Sequence, residues 1–492
     1  MSFCRSPILP VALLACQLSA CTVGPDYIRP SAPVAAEFKE SKDWKTADPR
    51  DHVLGSNWWE LFGDPLLNSL EQQVASNQSI IQAEAQYRQA QHLVQSAQSS
   101  LLPLASLNGS FNNFRSAKGQ SQVIPGIRTL FNNSVTMAWE PDLWGSVRRQ
   151  IESNIASAQA SAGTLQGLRL ATQASLADAY FQLRALDAQK QLYDETVAAY
   201  QQTLKITQNR YAVGVVAKTD VVQAETQLQS ARAQALNLGI QRAKYEHAIA
   251  VLIGKTPAEF SIAASDFTAQ APAIPLSLPS ELLERRPDIA TAERQIAAAN
   301  AQIGVAKAAY YPSLNLAMSN GFQSSSVSSL FNSLSRYWAL GPAAGALTIF
   351  DGGVKNAQYQ QAIASFDASV AAYRQTVLTG FQEVEDNLAA LRILEQETEV
   401  QHQAVTAANK ALELTINQYQ AGTISYLNVM TAQTAALSNR QTAVQLQAQR
   451  LSTAVLLIKA LGGGWQEQLL PSEQQASGER KWTDYLILPL VE

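Results

Sequence analysis

The sequence predicts a mixed α and β membrane protein. Each chain gives four strands to an oligomeric β-barrel and continues it with long coiled-coil hairpins. Three observations predict this: two long stretches without proline, an internal tandem repeat, and four segments of alternating polarity.

Proline breaks helix interiors. Prolines cluster before residue 66, occur at Pro103, Pro125 and Pro141, and then stop until Pro257. A second group runs from Pro272 through Pro312 to Pro342, and none follows until Pro471. The two gaps leave room for long helices near residues 144–208 and 352–418, each about 100 Å at 1.5 Å per residue. Within them Val377, Phe381, Val384, Leu388 and Leu391 step by four and three, as do Val405, Asn409, Leu412, Ile416 and Tyr419. Tyr193, Val197, Tyr200 and Leu204 do the same in the first gap. A 3.5-residue period is a coiled-coil seam.

The gaps also match each other. NRYAVGVVAKTDVVQAETQLQSAR (209–232) aligns without a gap to NQYQAGTISYLNVMTAQTAALSNR (417–440). Upstream, IIQAEAQYRQAQ (80–91) matches IATAERQIAAAN (289–300), with Pro103 opposite Pro312. Such self-similarity marks a tandem duplication. Each copy reads helix, two strands, long helix, helix, over 65–263 and 281–470. Gly214 and Gly422 mark where each long helix turns back into its partner. The first helix of copy one is expected over 66–100.

In the strand regions Leu107, Gly109 and Phe111 alternate with Ser106, Asn108, Ser110 and Asn112. Phe131, Val135, Met137 and Trp139 alternate with Asn132, Ser134, Thr136 and Glu140. Leu314, Leu316, Met318 and Phe322 alternate with Ser313, Asn315, Ser319 and Gly321. The fourth candidate, 337–350, is interrupted by Gly341, Pro342 and Gly345. Segments apolar on one face and small-polar on the other fit a membrane β-barrel, though a half-buried soluble sheet alternates in the same way. Four strands cannot close a barrel, and open edges are not tolerated in hydrocarbon. Two, three or four chains would be needed.

The N-terminus reads as an export signal over residues 1–20: Arg5, a short apolar run from Ile8 to Leu18, then Leu18-Ser19-Ala20. Cys21 follows. The other two cysteines, Cys4 and Cys16, lie upstream, so cleavage before Cys21 leaves no disulfide partner. Leu18-Ser19-Ala20-Cys21 resembles a bacterial lipobox, which makes Cys21 the acylated first residue. The 36 basic and 40 acidic side chains give a net charge of −4, which argues against a nucleic-acid partner. His52, His92, His247 and His402 are scattered without ligand spacing, so no metal is expected. No cofactor is expected beyond lipid on Cys21. Nor is an enzyme: FDGGVK lacks P-loop spacing, Gly462-Gly463-Gly464 ends a helix, and Glu395, Glu397 and Glu399 read as a solvated face.

CTVGPDYIRP, WWELFGDPLL, LPSELLERRPDIATAE, YYPSLNL, FDGG and ALGGGW, in this order, closely resemble motifs of the TolC-like outer-membrane efflux channels, in particular the NodT-type lipoprotein branch. The resemblance covers nearly the whole chain. It implies a homotrimer with a twelve-stranded barrel in outer-membrane lipid and a helical barrel in the periplasm. It implies equatorial regions in the lipidated N-terminal segment (21–64), an inter-repeat linker (264–280) and a C-terminal tail (471–492). The implied function is the exit duct of a tripartite pump, with a periplasmic adaptor and an inner-membrane transporter of the resistance-nodulation-division type. Val213, Gly214 and Val215, and Ala421, Gly422 and Thr423, match the turns at which the family docks its adaptor. Asp220 matches one gating carboxylate, whereas Asn428 and Thr431 stand at later acidic positions and Ile424 at a basic one. Tyr211 and Tyr419, one turn before the reversals, are expected either to pack between neighbouring hairpins and hold this gate shut or only to fill the coiled-coil seam. A type I protein-secretion duct and a non-porous coiled-coil lipoprotein are the alternative readings.

Overall fold

The structure is a computed structural model that describes residues 22–35, 37–41, 57–115, 127–272, 274 and 282–479. The signal segment and Cys21 lie outside the described residues, as do parts of the linker and of the C-terminal tail.

In chain order, copy one forms α1 (Pro65–Gln73), α2 (Gln78–Ser99), β1 (Leu104–Arg115), β2 (Ile127–Trp139), α3 (Ser146–Ala212) and α4 (Lys218–Leu252). Copy two forms α5 (Pro287–Ala308), β3 (Ser313–Ser324), β4 (Arg336–Ala346), α6 (Val354–Ala421) and α7 (Tyr426–Ala460). The expected helix over 66–100 is two helices. A short 3-10 turn at Val74–Ser76 separates them, and Asn77 caps α2 by accepting from the amides of Ser79 and Ile80. No proline marks this break; the side-chain cap makes it. β4 ends at Ala346, short of the expected 350, because β3 supplies no partner beyond Ser313.

The four strands form one antiparallel sheet in the order β1-β2-β3-β4. The central pairing, β2 with β3, joins the two copies, while β1 and β4 are left as edges. Residues directly opposite share a face. Leu107 therefore stands beside Val135, and Phe111 beside Phe131 with ring centroids 5.0 Å apart. Met137, Met318 and Leu340 continue the same face. The other face is polar: Ser106 Oγ lies 2.8 Å from Thr136 Oγ1, Asn108 donates to Thr136 at 2.8 Å, and Tyr337 donates to Asn132 at 3.0 Å.

α3 and α6 have 67 and 68 residues and pair with α4 and α7 as antiparallel hairpins. Val377, Val384 and Leu388 on the expected seam are at most 1% exposed. α3 is the central helix, packed by α2, α4, α5 and α7. Its upper half is therefore rich in buried alanine, which lets several neighbours approach at once.

The two copies close in the same way. Asn77 donates to the Leu252 carbonyl at the end of α4, and Arg286 donates to the Ala460 carbonyl at the end of α7, each at 3.0 Å. Beyond those helix ends Gly254 and Gly462 adopt φ of +74° and +93°. A Cβ would lie 2.2 Å from the Ser76 carbonyl oxygen at Gly254 and 1.9 Å from that of Arg285 at Gly462. Nearby, Glu71 is 2% exposed and its carboxyl oxygens have no partner among the described residues. Burial pushes its pKa up to about 9, so it stays protonated and uncharged at neutral pH.

Candidate functional site: the hairpin tips and the N-terminal strap

Both long helices end alike. After α3, Val215 N–H donates to the Arg210 carbonyl and Gly214 N–H to Tyr211, each at 2.9 Å. After α6, Thr423 N–H donates to Gln418 at 3.1 Å and Gly422 N–H to Tyr419 at 2.9 Å. These are Schellman closures, which need a left-handed residue at the turn; Gly214 and Gly422 supply it at φ +75° and +81°. Val213 and Val215 are left 74% and 61% exposed, and Ala421 and Thr423 are also exposed. The turns thus present a small apolar surface at the far end of the hairpins.

The two tip tyrosines are not equivalent. Tyr211 is 45% exposed in the single chain, whereas Tyr419 is 2% exposed. Tyr419 lies between the hairpins of its own chain. Its hydroxyl donates to Thr207 on α3 at 3.2 Å, and its ring packs edge-on against Tyr426 at 5.8 Å. The Arg210 guanidinium sits 4.7 Å from the centre of the Tyr419 ring and donates to the Tyr419 carbonyl. A cation over an aromatic face, with a charge-assisted bond to a carbonyl, joins the tips directly. Ala224, Val429 and Ile424 complete this cluster, so Ile424 contributes packing where the family pattern has a basic residue. In the aligned copy, Arg210 is opposite Gln418 and Tyr426 opposite Lys218. Those two differences separate the tyrosines.

Asp220 is half-buried in the first turn of α4. It contributes, after burial, Tyr200 and Tyr419, to raising the Tyr426 pKa to about 12. Asn428 is exposed and its amide donates to Ser425 at 3.4 Å; Thr431 is exposed and donates to the Leu427 carbonyl at 3.0 Å. Sequence reasoning missed Arg210, Thr207 and Tyr426. For Arg210 and Tyr426 the signal available was the mismatch between otherwise matched copies; Thr207, opposite Thr415, carried none.

Tyr419→Ala is expected to open a cavity costing about 3–5 kcal/mol and to raise single-channel conductance while the oligomer persists. Tyr419→Phe, which loses only the bond to Thr207, should cost about 1 kcal/mol. Conductance and thermal unfolding of the reconstituted variants check both. Unchanged conductance with lowered stability would reduce Tyr419 to seam packing.

At the opposite end of the hairpins the chain runs as a strap from the base of the sheet down the helices. Val23 N–H donates to the Trp144 carbonyl at 3.1 Å, and Thr22 packs where a Cβ on Gly145 would sit. Gly24, at φ +116°, lies against Gly304, and Asp26 pairs with buried Arg149 at 2.8 Å. Asn300 donates to the Pro25 carbonyl at 3.0 Å, and the Tyr27 hydroxyl donates to buried Glu293. Lower still, Arg374 donates to the Ser31 carbonyl at 3.2 Å. Trp144 stacks on Tyr311 at 4.8 Å, Trp139 donates to the Leu101 carbonyl at 3.0 Å, and Tyr310 packs edge-on against Tyr359. Such an aromatic band belongs at a membrane–water interface.

A family model described as outer membrane efflux protein matches residues 70–255 and 278–463, one block in each copy. The chain is 33% identical over 480 residues to the probable efflux pump outer membrane protein TtgC of Pseudomonas putida, covering 96% of this chain and 98% of that protein. It is 28% identical over 471 residues to the cation efflux system protein CusC of Escherichia coli, covering 95% and 100%. Among solved structures, the outer-membrane channel OprN superposes with a TM-score of 0.85 at 30% identity, over 90% of this chain and 100% of that one.

Proposed function

The chain belongs to the outer membrane efflux protein family and is the outer-membrane channel of an efflux pump; we propose that it works as a lipid-anchored homotrimer whose tips dock a periplasmic adaptor. The observation that carries closure by association is the sheet with two unpaired edges, β1 and β4, set on a pair of hairpins; the number three comes from the family resemblance. Three copies joined edge to edge give twelve strands and leave none open. Ile393, Val400 and Leu414 on α6 support it. They recur at multiples of seven and are 50–66% exposed in the single chain, as a coiled-coil seam awaiting a second copy would be. The polar sheet face then lines the lumen, and small molecules pass through it from a periplasmic adaptor and inner-membrane transporter to the exterior.

The exposed Val213 and Val215 turns suit the adaptor's apolar contacts. Asp220 is the carboxylate retained near the closed end, and Asn428 and Thr431 leave that end weakly charged. Rings of like charge in a narrow pore are worth several kT. Asn428→Asp is therefore expected to raise cation selectivity in planar-bilayer recordings, and Asp220→Asn to lower what is there. A reversal potential unmoved by either change would place the selective constriction elsewhere.

The lipid anchor rests on Cys21 and on the position of its neighbour Thr22, at the aromatic band between sheet and helices. Incorporation of a fatty-acid analogue followed by membrane fractionation should label the native protein in the outer membrane. Cys21→Ser should abolish the label. An unlabelled native protein would refute the anchor.

A further inference from the structure

The end of the sheet farthest from the helices carries a vertical order of side chains on its apolar, outward face. Strand alternation fixes that face. Phe322 stands directly opposite Arg336 and opposite Asn133, which pairs with Gly109 between the outward Leu107 and Phe111. Arg336 therefore points outward. Below it on β4 the outward positions are Trp338 and Leu340, 74% and 79% exposed. Alternate residues rise by about 7 Å. A cation, then an interfacial aromatic, then an aliphatic side chain follow one another over about 14 Å, which is the polarity gradient of one lipid leaflet read from phosphate to acyl chain. On the other edge strand Arg115 lies opposite the outward Ile127 at the far end, with Asn113, Phe111, Gly109 and Leu107 at the outward positions below it. Both arginines are exposed, and neither forms an ion pair among the described residues.

The β3–β4 connection adds to this rim. Phe331 packs edge-on against Phe322 at 5.5 Å, so the loop folds over the outward side rather than the lumen. Ser324, Ser326 and Ser329 are tied by hydroxyl contacts of 2.6 and 2.7 Å, which holds polar groups beside Arg336. Leu334 is 92% exposed on the same connection.

We infer that Arg115 and Arg336 form a binding site for the phosphates of an anionic glycolipid in the outer leaflet. The site rests on closure of the trimer, which brings the β1 edge of one chain beside the β4 edge of the next. Six arginines then lie on the outward face toward the far end of the barrel, and beside Arg336 hydroxyls are placed for sugar, with Trp338 and Leu340 placed for acyl chains. Guanidinium groups bind phosphate by paired, charge-assisted bonds, and an uncharged sugar lipid would forfeit them.

The test is native mass spectrometry of the full-length protein in detergent, titrated with bis-phosphorylated lipid A or with the same lipid stripped of phosphate. The native trimer should retain the phosphorylated form at least about tenfold better. R115Q/R336Q should remain a trimer and lose that preference, and R115K/R336K should keep most of it. Equal retention of both lipids by the native trimer, or an unchanged preference in the glutamine variant, would overturn the site. A native protein that appears as a monomer in the same spectra would instead overturn the closure on which the site depends.

Discussion

Gly462→Ala is expected to be among the most damaging single substitutions in the chain, abolishing most folded protein at 37 °C. Two costs add. At φ +93° any side chain other than hydrogen pays left-handed strain of about 1–2 kcal/mol. A Cβ there would also lie 1.9 Å from the Arg285 carbonyl oxygen, so the backbone that carries Arg286 must move. Arg286 is buried, pairs with Asp288 and Glu383 at 2.7 Å and donates to the Ala460 carbonyl. Shifting it breaks the clasp between α7 and the start of α5, for a total of about 3–5 kcal/mol. Gly254→Ala, the equivalent in copy one, meets the Ser76 oxygen at 2.2 Å and should rank second. Gly214→Ala is the control: its φ is +75°, but nothing lies within 4 Å of the added carbon. It should cost only about 1 kcal/mol. Thermal unfolding of the three purified variants gives the ranking. A Gly214 variant as damaged as the Gly462 variant would show that strain alone, not the close approach, sets the cost.

The second large effect concerns the barrel. Val135 lies on the outward face, 47% exposed, midway along the sheet beside Leu107. Val135→Arg is expected to cost about 2–4 kcal/mol per chain at the bilayer midplane and three times that in a trimer. Heat-resistant oligomer should disappear from the membrane fraction. Asn108→Arg, on the polar face beside Ser106 and Thr136, should assemble normally and change only conductance. Recovery of oligomer after membrane extraction checks the pair. Equal loss in both variants would contradict the assignment of lipid and lumen faces.

Those faces were legible in the sequence because strand alternation has a period of two and membrane burial rewards it. The hairpins were legible for a similar reason: 3.5-residue spacing and missing proline are local properties. What was not legible depends on approach between distant segments. The break before Asn77 follows from a side-chain cap and a carbonyl at the end of α4, some 170 residues on. The clasp of Arg210 on Tyr419 joins the two copies across the tip, and only the mismatch with Gln418 and Lys218 hinted at it. The strap from Thr22 to Ser31 has no periodicity at all. Its course is set by Arg149, Asn300 and Glu293, which are buried polar groups that need partners. Gly24 is the exception, since its close approach to Gly304 lies within a motif the sequence already singled out.

The central claim is that one chain is a third of a closed duct. The most direct measurement is the mass of the detergent-solubilised native protein, taken on the same sample that is then recorded in a planar bilayer. The expected result is a single species of three acylated chains that conducts ions. A monodisperse monomer that still conducts would contradict closure by association, and with it the assignment of β1 and β4 as the joining edges.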